Sequence, residues 1–179
     1  FQACEETSTV LAMHIGSGTK TVTTSPDAPT VVAANLIACN SVASMVDWLF
    51  SGVFDRFPGI QLLYAESQIG WIPYFVERAD DTWQTHQWAQ GEERSQRPPS
   101  DYYREHISAC FFKDTVGIDL LDRIGEDNVL FETDYPHQDG TFPRSKQVAE
   151  ELFGHLPQPT INKIARGNAI KLLGLDFEP

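Results

Sequence analysis

Four short apolar runs, Thr9 to Ile15, Ile60 to Ala65, Ile107 to Phe112 and Val129 to Phe131, are spaced along the chain with helical patterns between them. Each run is continuously apolar rather than alternating, as expected of a strand buried on both faces. Between the first two, Val42, Met45, Val46, Leu49, Phe50, Val53 and Phe54 recur at three- and four-residue steps, predicting one amphipathic helix that Pro58-Gly59 breaks. Ile72, Phe75, Val76, Ala79 and Trp83 mark a second helix within Ile69 to Trp88. Pro99-Ser100-Asp101 opens a third, and Val116 to Ile124 reads as a fourth, stopped by Gly125. Val148 to Phe153 and Ile161 to Leu173 are the last two, the final one ending at Gly174. Strands and helices that alternate in this way imply a parallel sheet with right-handed crossovers, an α/β fold.

What stands at the strand exits narrows the chemistry. The first run closes on His14 before Gly16-Ser17-Gly18, the second on Glu66, the third on Phe112-Lys113-Asp114, and the fourth on Glu132-Thr133-Asp134-Tyr135-Pro136-His137. In a (β/α)8 barrel the strand C-termini converge on one mouth, so residues far apart in sequence meet there. Imidazole and carboxylate together suit a divalent metal, and a carboxylate can also act as general base. Taken singly, Asp134 reads equally as a helix cap and His14 as a hydrogen-bonded core histidine. His106 precedes its strand, which points to a structural role.

Composition excludes other classes. Lys and Arg number 13 against 25 Asp and Glu, a formal charge of -12, so neither nucleic acid nor an anionic membrane surface is an expected partner. No run of about 18 consecutive apolar residues is present and no signal peptide is read, so a cytoplasmic location is expected. Cys4, Cys39 and Cys110 lack metal or redox spacing and read as reduced core thiols. No GxGxxG or Walker pattern follows a strand. The chain reads as a single domain over residues 1–179; opening on Phe1 without Met, inside a helical pattern, it is expected to be part of something longer.

Met13-His14-Ile15-Gly16-Ser17-Gly18, Phe54-Asp55-Arg56-Phe57-Pro58, Ala65-Glu66-Ser67-Gln68-Ile69-Gly70-Trp71-Ile72-Pro73-Tyr74 and Phe131-Glu132-Thr133-Asp134-Tyr135-Pro136-His137 with Asp139-Gly140-Thr141 together resemble the C-terminal half of the amidohydrolase-2 family, the metal-dependent branch that includes aminocarboxymuconate-semialdehyde decarboxylases. The resemblance implies a (β/α)8 TIM-type barrel of which this chain supplies about strands five to eight, their helices and a C-terminal helix. It implies a divalent metal, Zn foremost with Mn or Fe as alternatives, held by His14 and Asp134, and hydrolysis of a small organic substrate by metal-activated water. Asp134 and Glu66 are the candidate catalytic residues, and His137, Asp139 and Trp71 the candidate substrate contacts. The resemblance also implies a first-strand ligand pair that this sequence does not contain. It leaves two alternatives: non-oxidative decarboxylation or hydration of an unsaturated or aromatic acid, against which Glu66 counts because that family's decarboxylases place a His there, and an inactive half-barrel. Half a barrel leaves sheet edges and apolar surface in water, so a homo-oligomer or a complementing N-terminal half is expected.

Overall fold

In a computed structural model, residues 1–17, 22–91 and 95–177 are described. The expected glycine turn at Gly16 to Gly18 and the expected loops over Thr19 to Val32 and Gln90 to Ser100 each run partly outside them, at 18–21 and 92–94. The order is α1 (Gln2–Glu6), β1 (Leu11–His14), α2 (Thr30–Leu36), α3 (Cys39–Phe50), α4 (Val53–Arg56), β2 (Leu62–Ala65), α5 (Ile72–Thr85), α6 (Pro99–His106) and β3 (Ile107–Phe111). There follow α7 (Thr115–Asp119), α8 (Leu121–Ile124), β4 (Val129–Phe131), α9 (Ser145–Phe153), α10 (Gln158–Asn162) and α11 (Asn168–Leu173).

The four strands form one parallel sheet in the order β1-β2-β3-β4, with His14 opposite Ala65, Tyr64 opposite Ala109, and Phe111 opposite Phe131. All five residues of β3 are buried, as a strand covered on both faces requires. Leu62 and Tyr64 of β2 face a helical layer in which Met45 and Leu49 of α3, Ile72 of α5 and Phe153 of α9 are sealed from water. Each such side chain contributes about 1.5–3 kcal/mol of transfer free energy, so the layer that covers one face of the sheet is its main support.

Several elements differ from the expected ones for local reasons. The stripe from Val42 to Phe54 is two helices rather than one, because Gly52 takes a left-handed conformation (φ 67°) between α3 and α4. Val116 to Ile124 likewise divides into α7 and α8. Part of the loop expected over Thr19 to Val32 belongs to α2, and the segment Thr30–Phe50 is, by length and composition only, apolar enough to cross a membrane. The final helix is joined to α10 by a π-turn at Lys163–Gly167, which carries Ile164 into the core. Asn168 then donates to the carbonyls of Glu126 and Val129, both at 2.7 Å, and fixes α11 against the start of β4.

His106 is structural: its Nδ1 lies 2.9 Å from the Ile60 carbonyl and its ring stacks on Phe54 at 4.4 Å. The three cysteines are free, but only Cys110 is buried; Cys39 is exposed and Cys4 is intermediate.

Candidate functional site

All four strands run the same way, so their C-terminal ends lie along one rim of the sheet. The backbone leaves that rim through turns: Glu66, Gln68 and Asp134 all have positive φ, at 57°, 55° and 52°. Non-glycine residues in this region are strained, and such strain concentrates where side chains are held for function.

From β1, His14 reaches across to Glu66, with Nε2 2.7 Å from Oε1. Its Nδ1 lies 2.6 Å from the Ile15 carbonyl, an acceptor only, so that nitrogen donates. With an oxygen acceptor against each ring nitrogen, the surroundings favour the protonated ring. The backbone bond to Ile15 is the chief reason its pKa is raised; dehydration opposes it, and the Glu66 and Glu132 carboxylates add to it.

The Glu66 amide donates to Glu132 Oε1 at 2.8 Å, linking the exits of β2 and β4. Glu132 is pushed up to about 7 by burial, with Glu66 and Asp134 adding repulsion against hydrogen bonds from the Glu66 amide and Cys110. Cys110 in turn is pushed well up by burial and by Glu132.

Asp134 follows, its side chain only 7% exposed and its Oδ2 3.0 Å from Nδ1 of His137, which is itself 54% exposed. The loop behind it is pinned. Thr141 donates to the Thr133 carbonyl at 2.9 Å, and at Gly140 a β-carbon would meet the Asp134 carbonyl oxygen at 2.5 Å. Only glycine permits that approach.

His14, Glu66, Glu132 and Asp134 therefore form a string of groups along the rim, with His137 attached to its far end. His14 and Asp134 stand at the exits of the two outer strands of the sheet and, among the described residues, share no hydrogen bond. Asp139 joins through its backbone, its carbonyl accepting from Lys113 Nζ at 2.8 Å, while its side chain is exposed. Trp71 stands aside: its Nε1 donates to the Ser67 carbonyl at 2.9 Å and its ring packs against the core. Asp114 at the exit of β3 is fully engaged as a cap, accepting from the amides of Ile69, Gly70 and Gly117 at 2.6–2.8 Å.

Glu132 is the member that sequence reasoning passed over. It sat inside the quoted motif without a role; its two-residue step from Leu130 and Asp134 was the only signal that it shares their side of the strand.

The donors suit a divalent cation in kind, an imidazole nitrogen and a shielded carboxylate, but not in number. Catalytic sites of this sort use about three protein ligands, and among the described residues no group of three or more His, Cys, Asp or Glu is arranged to hold a metal.

A family model described as amidohydrolase matches residues 1–175. Among solved structures, an amidohydrolase from Mycobacterium avium subsp. paratuberculosis K-10 is 21% identical with a TM-score of 0.74, covering 96% of this chain and 44% of its own. The 2,6-dihydroxybenzoate decarboxylase from Rhizobium is 20% identical with a TM-score of 0.72, covering 98% of this chain and 54% of its own. The 5-carboxyvanillate decarboxylase from Novosphingobium aromaticivorans, complexed with manganese and 4-hydroxy-3-methoxy-5-nitrobenzoic acid, is 20% identical with a TM-score of 0.72, covering 98% and 50%. The chain thus spans about half the length of the structures it matches, and its parallel sheet with flanking helices is part of a (β/α)8 barrel.

Proposed function

The chain belongs to the amidohydrolase family, and on that premise we propose that its strand exits form one side of a metal-dependent site that hydrolyses a small organic substrate. The observation that carries this reading is the string His14, Glu66, Glu132 and Asp134, gathered at one rim from three strands. His14 and Asp134 would hold the cation, zinc or, as in the related decarboxylase structure, manganese. Bound there, it supplies Lewis-acid activation of water at neutral pH.

The chain's own residues do the rest. Asp134, shielded from solvent, accepts the proton released from water, and His137 at 3.0 Å holds that carboxylate in place. Glu66 fixes the ring of His14. A proton on Nε2 toward Glu66 and ligation through that nitrogen exclude one another, so metal uptake would be coupled to proton release. Asp139 and Lys113 brace the loop that follows Asp134.

The test is metal content after equilibration with zinc or manganese. His14→Ala and Asp134→Ala should each weaken binding by about tenfold or more, the scale of losing a direct or supporting ligand contact. Undiminished binding in both variants contradicts the proposal.

A second reading, non-oxidative decarboxylation of an aromatic acid, is favoured by the likeness to two decarboxylase structures. Glu66 counts against it, since an added carboxylate at the rim repels an anionic substrate. Release of carbon dioxide from a hydroxybenzoate, with no hydrolysis of esters or amides, would decide for it.

A further inference from the structure

Glu132 is the one member of the rim string to which the metal reading gives no task. Its backbone continues β4, donating to the Phe111 carbonyl at 2.9 Å. Phe111 and Phe131 join the core on the helical side of the sheet, so by the two-residue alternation Cys110, Leu130 and Glu132 turn to the opposite side. There Glu132 Oε1 accepts from the Glu66 amide at 2.8 Å, and the Cys110 thiol donates to the same carboxylate. Because β3 lies between β2 and β4, the Glu132 side chain reaches over the middle strand to do so.

The amide it meets belongs to a residue that needs holding. Glu66 is left-handed, at φ 57°, and so is Gln68, at 55°, a conformation that a side chain disfavours. The far end of this turn is tied by Asp114, which accepts from the amides of Ile69 and Gly70 at 2.7 and 2.6 Å. Glu132 ties its start, at the residue whose Oε1 lies 2.7 Å from Nε2 of His14. A return of Glu66 to negative φ would redirect its Cα–Cβ bond and take its carboxylate off the ring.

We propose that Glu132 is a positioning residue: by accepting the Glu66 amide it holds the left-handed turn that directs the Glu66 carboxylate onto His14. The task requires an accepting oxygen at the reach of a Glu or Gln side chain and does not require a charge. The positioning rests on the hydrogen bonds; only its bearing on metal uptake rests on the metal reading above.

Two substitutions separate the oxygen from the charge. Glu132→Gln keeps the acceptor and loses the charge, whereas Glu132→Met keeps the length and loses both. Nuclear magnetic resonance of the full chain, stripped of metal and held at one pH, reads the Glu66 amide and the His14 ring nitrogens separately. Glu132→Met should speed exchange of the Glu66 amide by about tenfold, the scale of one hydrogen bond to a charged group, and move the His14 ring signals toward those of Glu66→Ala. Glu132→Gln should stay near the wild type in both. Because the two variants lack the same charge, a difference between them reports the accepting oxygen. If Glu132→Met loses the native circular dichroism, Glu132→Asp, with the charge kept and the reach shortened, carries the same comparison. The proposal is overturned by a native Glu66 amide and His14 ring in the variant without the acceptor, or by a Gln variant displaced as far as that one. Where manganese binds, Glu132→Met should bind it about tenfold more weakly than Glu132→Gln. No uptake by any form, the wild type included, removes the metal reading and leaves the positioning result standing.

Discussion

Glu132 is the residue at which the rim's electrostatics are most exposed to test. Its carboxyl titrates near 7 in the folded chain because burial beside Glu66 and Asp134 penalises the charge. Unfolded, it gives up its proton near the ordinary value of about 4.3. Between those values the folded chain binds more protons than the unfolded one, so this residue's contribution to stability is complete below about 4.3 and is lost as pH rises toward 7. A shift of that size on a fully dehydrated group corresponds to about 4 kcal/mol; with the carboxyl partly open to water, on the order of 1 kcal/mol is expected. Glu132→Gln keeps the shape and removes the charge. Urea unfolding at pH 5.5 and pH 8 should show the variant gaining stability at the higher pH and losing part of the wild type's pH slope. An unchanged slope would mean that the carboxyl is ionised at both pH values.

At the scale of elements, Asp114 joins two pieces of the rim. Its carboxylate caps the start of α7 through Gly117 and holds the turn between β2 and α5 through Ile69 and Gly70. Three amide bonds to one anion are charge-assisted, so Asp114→Ala leaves three donors near the protein interior without a partner. A loss of about 2–4 kcal/mol is expected, above the usual range for a single cap, and thermal unfolding of the variant measures it. A loss under about 1 kcal/mol would show that water replaces the carboxylate at little cost.

The same residue shows how far the sequence could be read. Strand exits were legible because a buried parallel strand leaves a continuous apolar run, and His14, Glu66 and Asp134 stand where those runs stop. Which exit residue serves chemistry and which serves capping was not, because Asp114 and Asp134 look alike until the amides around them are placed. Helix interruptions at Gly52 and the π-turn at Lys163–Gly167 escaped for a related reason: the apolar spacing runs through both, and only backbone conformation separates the pieces. Trp71, aromatic and beside a strand exit, reads as a substrate contact from position, whereas its ring packs on the core and its nitrogen is bonded to Ser67.

On the scale of the whole molecule, the sheet has a well-supported centre and two exposed margins. β2 and β3 are paired on both sides, and β3 is buried along its full length. β1 is only partly buried, with Ala12 and His14 exposed. Amide exchange reads that gradient directly, because protection follows the free energy of the opening that frees each amide. The amides of Leu63, Tyr64, Ala109 and Cys110 are expected to be the slowest in the sheet, opening only with global unfolding. The amides of Ala12, His14, Val129 and Phe131 face away from the neighbouring strand and should exchange fast in this chain studied by itself. Exchange followed by nuclear magnetic resonance measures the difference, and margin amides as slow as the central four would show that opening of the sheet is a single cooperative event.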